Sequence, residues 1–115
     1  MRVVLDTNIL ISALMIGSGY PSAICRAWRE GSFTLLTSPL QLAELRETLL
    51  KPALKERIRP FIAGRLVNEL KELAEVIRTA KIVRRSPDPT DDFLLALCDD
   101  GAADYLDRKS TRLNS

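Results

Sequence analysis

A parallel α/β sheet flanked by helices is the fold class that this 115-residue sequence predicts. Three observations carry the prediction. Arg2-Val3-Val4-Leu5 is β-branched and apolar enough for a strand buried on both faces. Short apolar runs then alternate with longer runs of helical spacing, the order that gives a parallel sheet with right-handed crossovers. The length suits one core, and no internal repeat or low-complexity linker divides the chain.

The elements follow in order. After the first strand, Ile9 to Ile16 suits a short helix that closes on the Gly17-Ser18-Gly19 loop. Pro21 opens a helix through Arg29, with Ile24, Ala27 and Trp28 on its apolar face and Gly31 as terminator. Ser32 to Thr37, with Phe33, Leu35 and Leu36, is a second strand. Ser38-Pro39-Leu40-Gln41 starts the next helix: serine caps, proline fixes the first φ, and glutamine three residues on can return a capping-box bond. That helix runs towards Leu50 and ends before Pro52. From Pro60, the spacing of Ile62, Leu66, Leu70, Leu73 and Ile77 predicts a long helix. Lys81-Ile82-Val83 is a third strand, and a helix from Asp91 turns Phe93, Leu94, Leu97 and Cys98 inward until Gly101 stops it. Ala102 to Leu106 begins a fourth strand.

Composition narrows the function classes. With 46% hydrophobic and 28% charged residues the chain matches an ordinary globular domain. No apolar run approaches the roughly 20 residues of a membrane span, so no membrane partner is expected. The opening lacks the basic region and cleavage site of a signal peptide, and a cytoplasmic location follows as the expectation. Cys25 and Cys98 sit in helix-like apolar patterns without CxxC spacing, as buried thiols do. A net charge of +2 is too small to argue for a nucleic-acid partner. The cations Lys51, Lys55, Arg57, Arg59, Arg65, Arg84 and Arg85 fall in or beside connecting segments, where solvated surface is a better reading than a phosphate track.

The informative residues are acids. Asp6 lies where the first strand ends, at the carboxyl edge of the sheet, where α/β folds bind ligands. Glu44 is in the second turn of the helix after the second strand. Asp91 and Asp92 open the helix after the third. Crossovers of one hand bring all three positions to one crevice, and carboxylates so close repel unless a divalent cation sits between them. Oxygen ligands without histidine or thiolate favour Mg²⁺ or Mn²⁺ over zinc. Each acid also has a plain structural reading. Asp6 can accept backbone N–H bonds, Glu44 and Glu47 can form a solvated face with Arg46 and Lys51, and Asp91 or Asp92 can cap a helix. Three such positions at the strand ends of one sheet outweigh those separate readings.

Asp6-Thr7-Asn8 after an apolar strand, Glu44 within Leu42-Ala43-Glu44-Leu45-Arg46-Glu47, and Asp91-Asp92-Phe93-Leu94-Leu95-Ala96-Leu97 resemble PIN domains, most nearly the toxin components of bacterial toxin–antitoxin pairs. The resemblance covers residues 1–106. It implies a three-layer sandwich, a metal-dependent endoribonuclease acting on RNA and leaving 5′-phosphate and 3′-hydroxyl ends, a cognate antitoxin protein, and, as in many members, a homodimer. It also implies that Asp6, Glu44 and Asp91 are catalytic metal ligands, with Asp92 a close alternative to Asp91 because the register there is open by one residue. Thr7 and Asn8 are supporting polar groups in that reading. With no histidine in the chain, a water activated by Mg²⁺ or Mn²⁺ is the natural nucleophile.

The resemblance fails beyond Leu106. The family continues to a further acid, then a helix and strand, whereas Ser110 stands where that acid belongs, and Asp107, a carboxylate within the expected strand, is a doubtful substitute. Residues 107–115 read as a polar tail, foreign or disordered, on a domain whose last strand and helix are missing or replaced. A catalytically inactive module that binds an antitoxin is therefore the alternative. A phosphoacceptor receiver lacks its acid pair after the first strand, and an Asp-x-Asp phosphatase fails on Asn8.

Overall fold

In the computed structural model, residues 1–78 and 89–107 are described, with the backbone alone for residues 89–93. The chain order is β1 (Arg2–Leu5), α1 (Thr7–Met15), α2 (Tyr20–Arg29), β2 (Thr34–Thr37), α3 (Pro39–Leu49), α4 (Pro52–Lys55), α5 (Pro60–Leu73), β3 (Glu75–Val76), α6 (Pro89–Gly101) and β4 (Tyr105–Asp107). The strands form one sheet in the order β3-β2-β1-β4, and every pairing is parallel. Val3 pairs with Leu35 and Tyr105, and Val4 with Leu36 and Leu106.

Alternation along the strands divides the core in two. Val3, Leu5 and Leu35 face a large cluster with Leu10, Trp28, Leu45 and Leu70 from α1, α2, α3 and α5. Val4 and Leu36 face the opposite side, where Leu94 and Leu97 of α6 complete a smaller cluster. A register slip of one residue exchanges these faces, so the pattern fixes the pairing. No single helix among the described residues is long and apolar enough to cross a membrane.

Two helix ends share one hydrogen-bond pattern and differ in the residue that carries it. At the end of α2, Ser32 N–H donates to Ala27 O at 2.9 Å and Gly31 N–H to Trp28 O at 2.9 Å. Gly31 takes the left-handed conformation this closure requires, φ 85°. At the end of α6, Ala103 N–H donates to Cys98 O at 2.9 Å and Ala102 N–H to Asp99 O at 3.3 Å. Here the left-handed residue is Ala102, φ 52°, and Gly101 is the last helical residue rather than the stop expected. The glycine serves a close approach instead: a Cβ on Gly101 stands 2.8 Å from Leu36 Cδ1 and 3.2 Å from Ile77 Cγ1. Ala102→Gly is therefore expected to stabilise the fold by about 0.5–1 kcal/mol, the left-handed cost of alanine less the added entropy of glycine. Urea denaturation at fixed m-value measures it.

Two sequence expectations shift, at Ile77 and at Pro52. The Pro60 helix ends at Leu73 rather than reaching Ile77, because Ala74 turns extended (φ −86°, ψ 155°). Glu75–Val76 then pairs with Leu36 and Thr37 as the third strand, and Ile77 N–H donates to Thr37 O at 2.7 Å. Ile77 still packs inward, on the α6 cluster, so apolar periodicity alone could not separate it from the helix. The expected strand Lys81-Ile82-Val83 lies outside the described residues. Pro52, read only as a helix stop, also opens the short helix α4.

Arg2 ties the amino edge of the sheet together. Its guanidinium donates to both carboxylate oxygens of Glu75, at 3.0 and 2.9 Å, and through Nε to Gly101 O at 2.8 Å. Its backbone N–H donates to Asp104 Oδ2 at 2.8 Å. Those guanidinium bonds hold the Glu75 carboxyl below its ordinary range. The end of α6 and the starts of β3 and β4 are so fastened at one edge, and the opposite edge carries the candidate site.

Candidate active site

At the carboxyl edge, β1 and β4 finish side by side: Leu5 pairs with Asp107, and Asp6 N–H donates to Asp107 O at 2.8 Å. Asp6 is extended (φ −60°, ψ 143°) and caps α1, its Oδ1 accepting from Asn8 N–H at 3.2 Å. A strand that must turn at once into a helix needs such a cap, and an acid also suits the positive end of the helix. The plain structural reading of Asp6 thus holds for one carboxylate oxygen. The side chain remains half-buried at the rim, with Asn8 exposed beside it.

Thr7 links the first helix to the third. It is buried, at 4% exposure, and its Oγ1–H donates to Glu44 Oε1 at 2.6 Å. Glu44, in the second turn of α3, is half-buried, whereas Glu47 is exposed; the two acids therefore do not form one solvated face. Two residues separated by 37 positions meet because α1 and α3 both begin at strand ends on this edge.

Gln41 holds the same junction from beneath. Ser38 caps α3 by accepting from Gln41 N–H at 3.1 Å. The expected return bond of the glutamine side chain is replaced: the buried Gln41 Nε2 donates to Leu5 O at 2.7 Å, and its Oε1 accepts from Thr37 Oγ1 at 2.7 Å. A tertiary partner wins over the local one because it pairs polar groups that are otherwise buried without water. Gln41 thereby fastens the ends of β1 and β2 to α3, a role that the capping pattern concealed.

Asp91 and Asp92 lie in the first turn of α6. That helix packs on β1, β2 and α3 and finishes at the amino edge, where Gly101 O meets Arg2, so its start lies towards the rim of Asp6. Their side chains are outside the described residues. Asp107, read both within the expected strand and at the head of the polar tail, is the last residue of β4. It is 7% exposed and accepts a hydrogen bond from the Tyr20 hydroxyl. Desolvation of that hydroxyl and its bond to the carboxylate push the Tyr20 phenol above its usual range. The signal was present in Tyr105-Leu106-Asp107, which closes on an acid as Val4-Leu5-Asp6 does.

Among the described residues no three carboxylate or thiol side chains converge as a metal-holding group. Asp6 and Glu44 offer oxygen donors of the kind that hard divalent cations take. Thr7→Val keeps the shape but removes the donor to Glu44. It is expected to cost about 1–2 kcal/mol, as for a bond to a charged acceptor, read by chemical denaturation.

No curated protein gives a match to this chain. A family model described as PIN domain matches residues 2–106, from the start of β1 to the penultimate residue of β4. With its four-stranded parallel sheet and flanking helices, the chain belongs to the PIN domain family, whose members are generally nucleases.

Proposed function

We propose that this PIN domain is a metal-dependent endoribonuclease, the toxin component of a type II toxin–antitoxin pair, held in check by a cognate antitoxin protein. The observation that carries the reading is the Thr7–Glu44 hydrogen bond at 2.6 Å. It fastens the acid of α3 to the residue next to Asp6, at the sheet edge where α/β folds bind ligands.

Asp6, Glu44 and Asp91, with Asp92 as neighbour, are the proposed ligands and catalytic carboxylates. The hydrogen bonds at the rim support a task for each of Asp6 and Glu44. Asp6 is held at one oxygen by Asn8 N–H, which leaves the other directed by the cap geometry. Glu44 is oriented by the buried Thr7 hydroxyl. Asn8, exposed beside Asp6, is the proposed holder of a substrate oxygen or a water. Bound there, Mg²⁺ or Mn²⁺ supplies positive charge against the phosphodiester and acidifies a water for attack. The chain has no histidine, so no imidazole serves as base.

The test is cleavage of single-stranded RNA with Mn²⁺ titrated in. The expected result is metal-dependent cleavage with 5′-phosphate ends, abolished by EDTA and restored by added Mn²⁺. A purified, folded chain that leaves RNA intact at every Mn²⁺ concentration contradicts the reading. An inactive module that binds an antitoxin is the second reading, and one observation favours it: the buried carboxylate of Asp107 already accepts from Tyr20 and so differs from an open ligand. Stable antitoxin capture without cleavage supports that alternative.

A further inference from the structure

We infer that the groove between α3, α4 and α5 is a docking site for an amphipathic helix with acidic flanks, contributed by a partner protein. The inference goes beyond the nuclease reading and does not depend on it, since none of the rim acids lines the groove. The cavity is about 410 Å³, room for a few apolar side chains, with Leu49, Ile58 and Val67 in its wall. Arg46, Lys55 and Lys71 also line it, and no acid does. None of these three cations is in an ion pair among the described residues. Leu50 stands 64% exposed at the same groove.

Gly64 lines the same groove. It sits inside α5, where a Cβ would meet nothing within 4 Å. Glycine within a helix is less stable than alanine, and at this position the added methyl takes up only groove space. An apolar wall with a purely cationic border is complementary to a helix whose apolar stripe is flanked by Asp and Glu. Single-stranded RNA fits less well, because no aromatic side chain lines the groove to stack a base. A second copy of the chain would have to present an acidic apolar face of its own.

A display library of helical peptides, selected against the whole chain, tests the proposal. Enriched peptides are expected to carry apolar residues at i, i+3, i+4 and i+7 with Asp or Glu beside them. Their affinity is expected to fall at least about tenfold in Gly64→Leu and in the surface variant Lys55→Glu/Lys71→Glu, with circular dichroism and RNA cleavage unchanged. Gly64→Ala, as control, is expected to raise Tm. Four outcomes overturn the proposal: no enrichment; enriched peptides without acidic flanks; peptides whose binding ignores both variants; or loss of RNA binding or of a chain dimer, rather than of peptide binding, in the charge-reversed variant. Because cleavage is measured alongside, loss of the docking claim and loss of the nuclease claim give different results.

Discussion

Asp6→Asn is expected to lower Mn²⁺-dependent RNA cleavage by about 100-fold or more while leaving the fold intact. The two effects separate because Asp6 does two jobs. As the cap of α1 it accepts from Asn8 N–H, and asparagine caps a helix about as well as aspartate. As a proposed ligand it contributes negative charge, which asparagine lacks. Charge stabilisation by a bound cation is worth several kcal/mol in the transition state, and each 1.36 kcal/mol is tenfold in rate. Cleavage kinetics and thermal denaturation on the same preparation measure both. A variant that cleaves at the parent rate removes Asp6 from the site, and one that unfolds shows that its carboxylate is structural.

Leu97→Ala is expected to give a large loss of stability, about 2–5 kcal/mol. Leu97 is fully buried in the smaller cluster, where Val4, Leu36 and Leu94 accompany it as buried side chains among the described residues. Against a typical total of about 5–15 kcal/mol for a domain, that loss is a substantial fraction. The same cluster attaches α6 to the sheet, so amide exchange in α6 is expected to accelerate more than in α5, whose Leu66 and Leu70 belong to the larger cluster. Because Asp91 and Asp92 lie in the first turn of α6, cleavage is expected to fall together with its protection. Uniform exchange across both helices would show instead that the two clusters melt as one unit.

Much of the sheet could be read from residue types alone. Val3 and Leu5 against Val4 place two apolar faces on one strand, and Asp6 and Ser38 mark the strand ends by their capping chemistry. What escaped was settled by tertiary contacts. Ile77 continues a helical period yet lies beyond a two-residue strand, since both environments bury it. Gln41 matches a capping box but bonds Leu5 O across the fold. Gly101 resembles a helix stop, whereas its lack of a Cβ makes room for Leu36. At the site, the positions of Asp6 and Glu44 followed from topology. The Thr7 bridge between them needed coordinates, because nothing local tells a threonine to reach a residue 37 positions away.

The most direct measurement is a crystal structure of the protein soaked in Mn²⁺, read by anomalous scattering. The expected result is a peak at the carboxyl edge of the sheet, about 2.0–2.3 Å from carboxylate oxygens of Asp6 and Glu44, with Asp91 or Asp92 as a third ligand. A well-ordered α6 with no metal at that edge, or a metal held away from both Asp6 and Glu44, contradicts it.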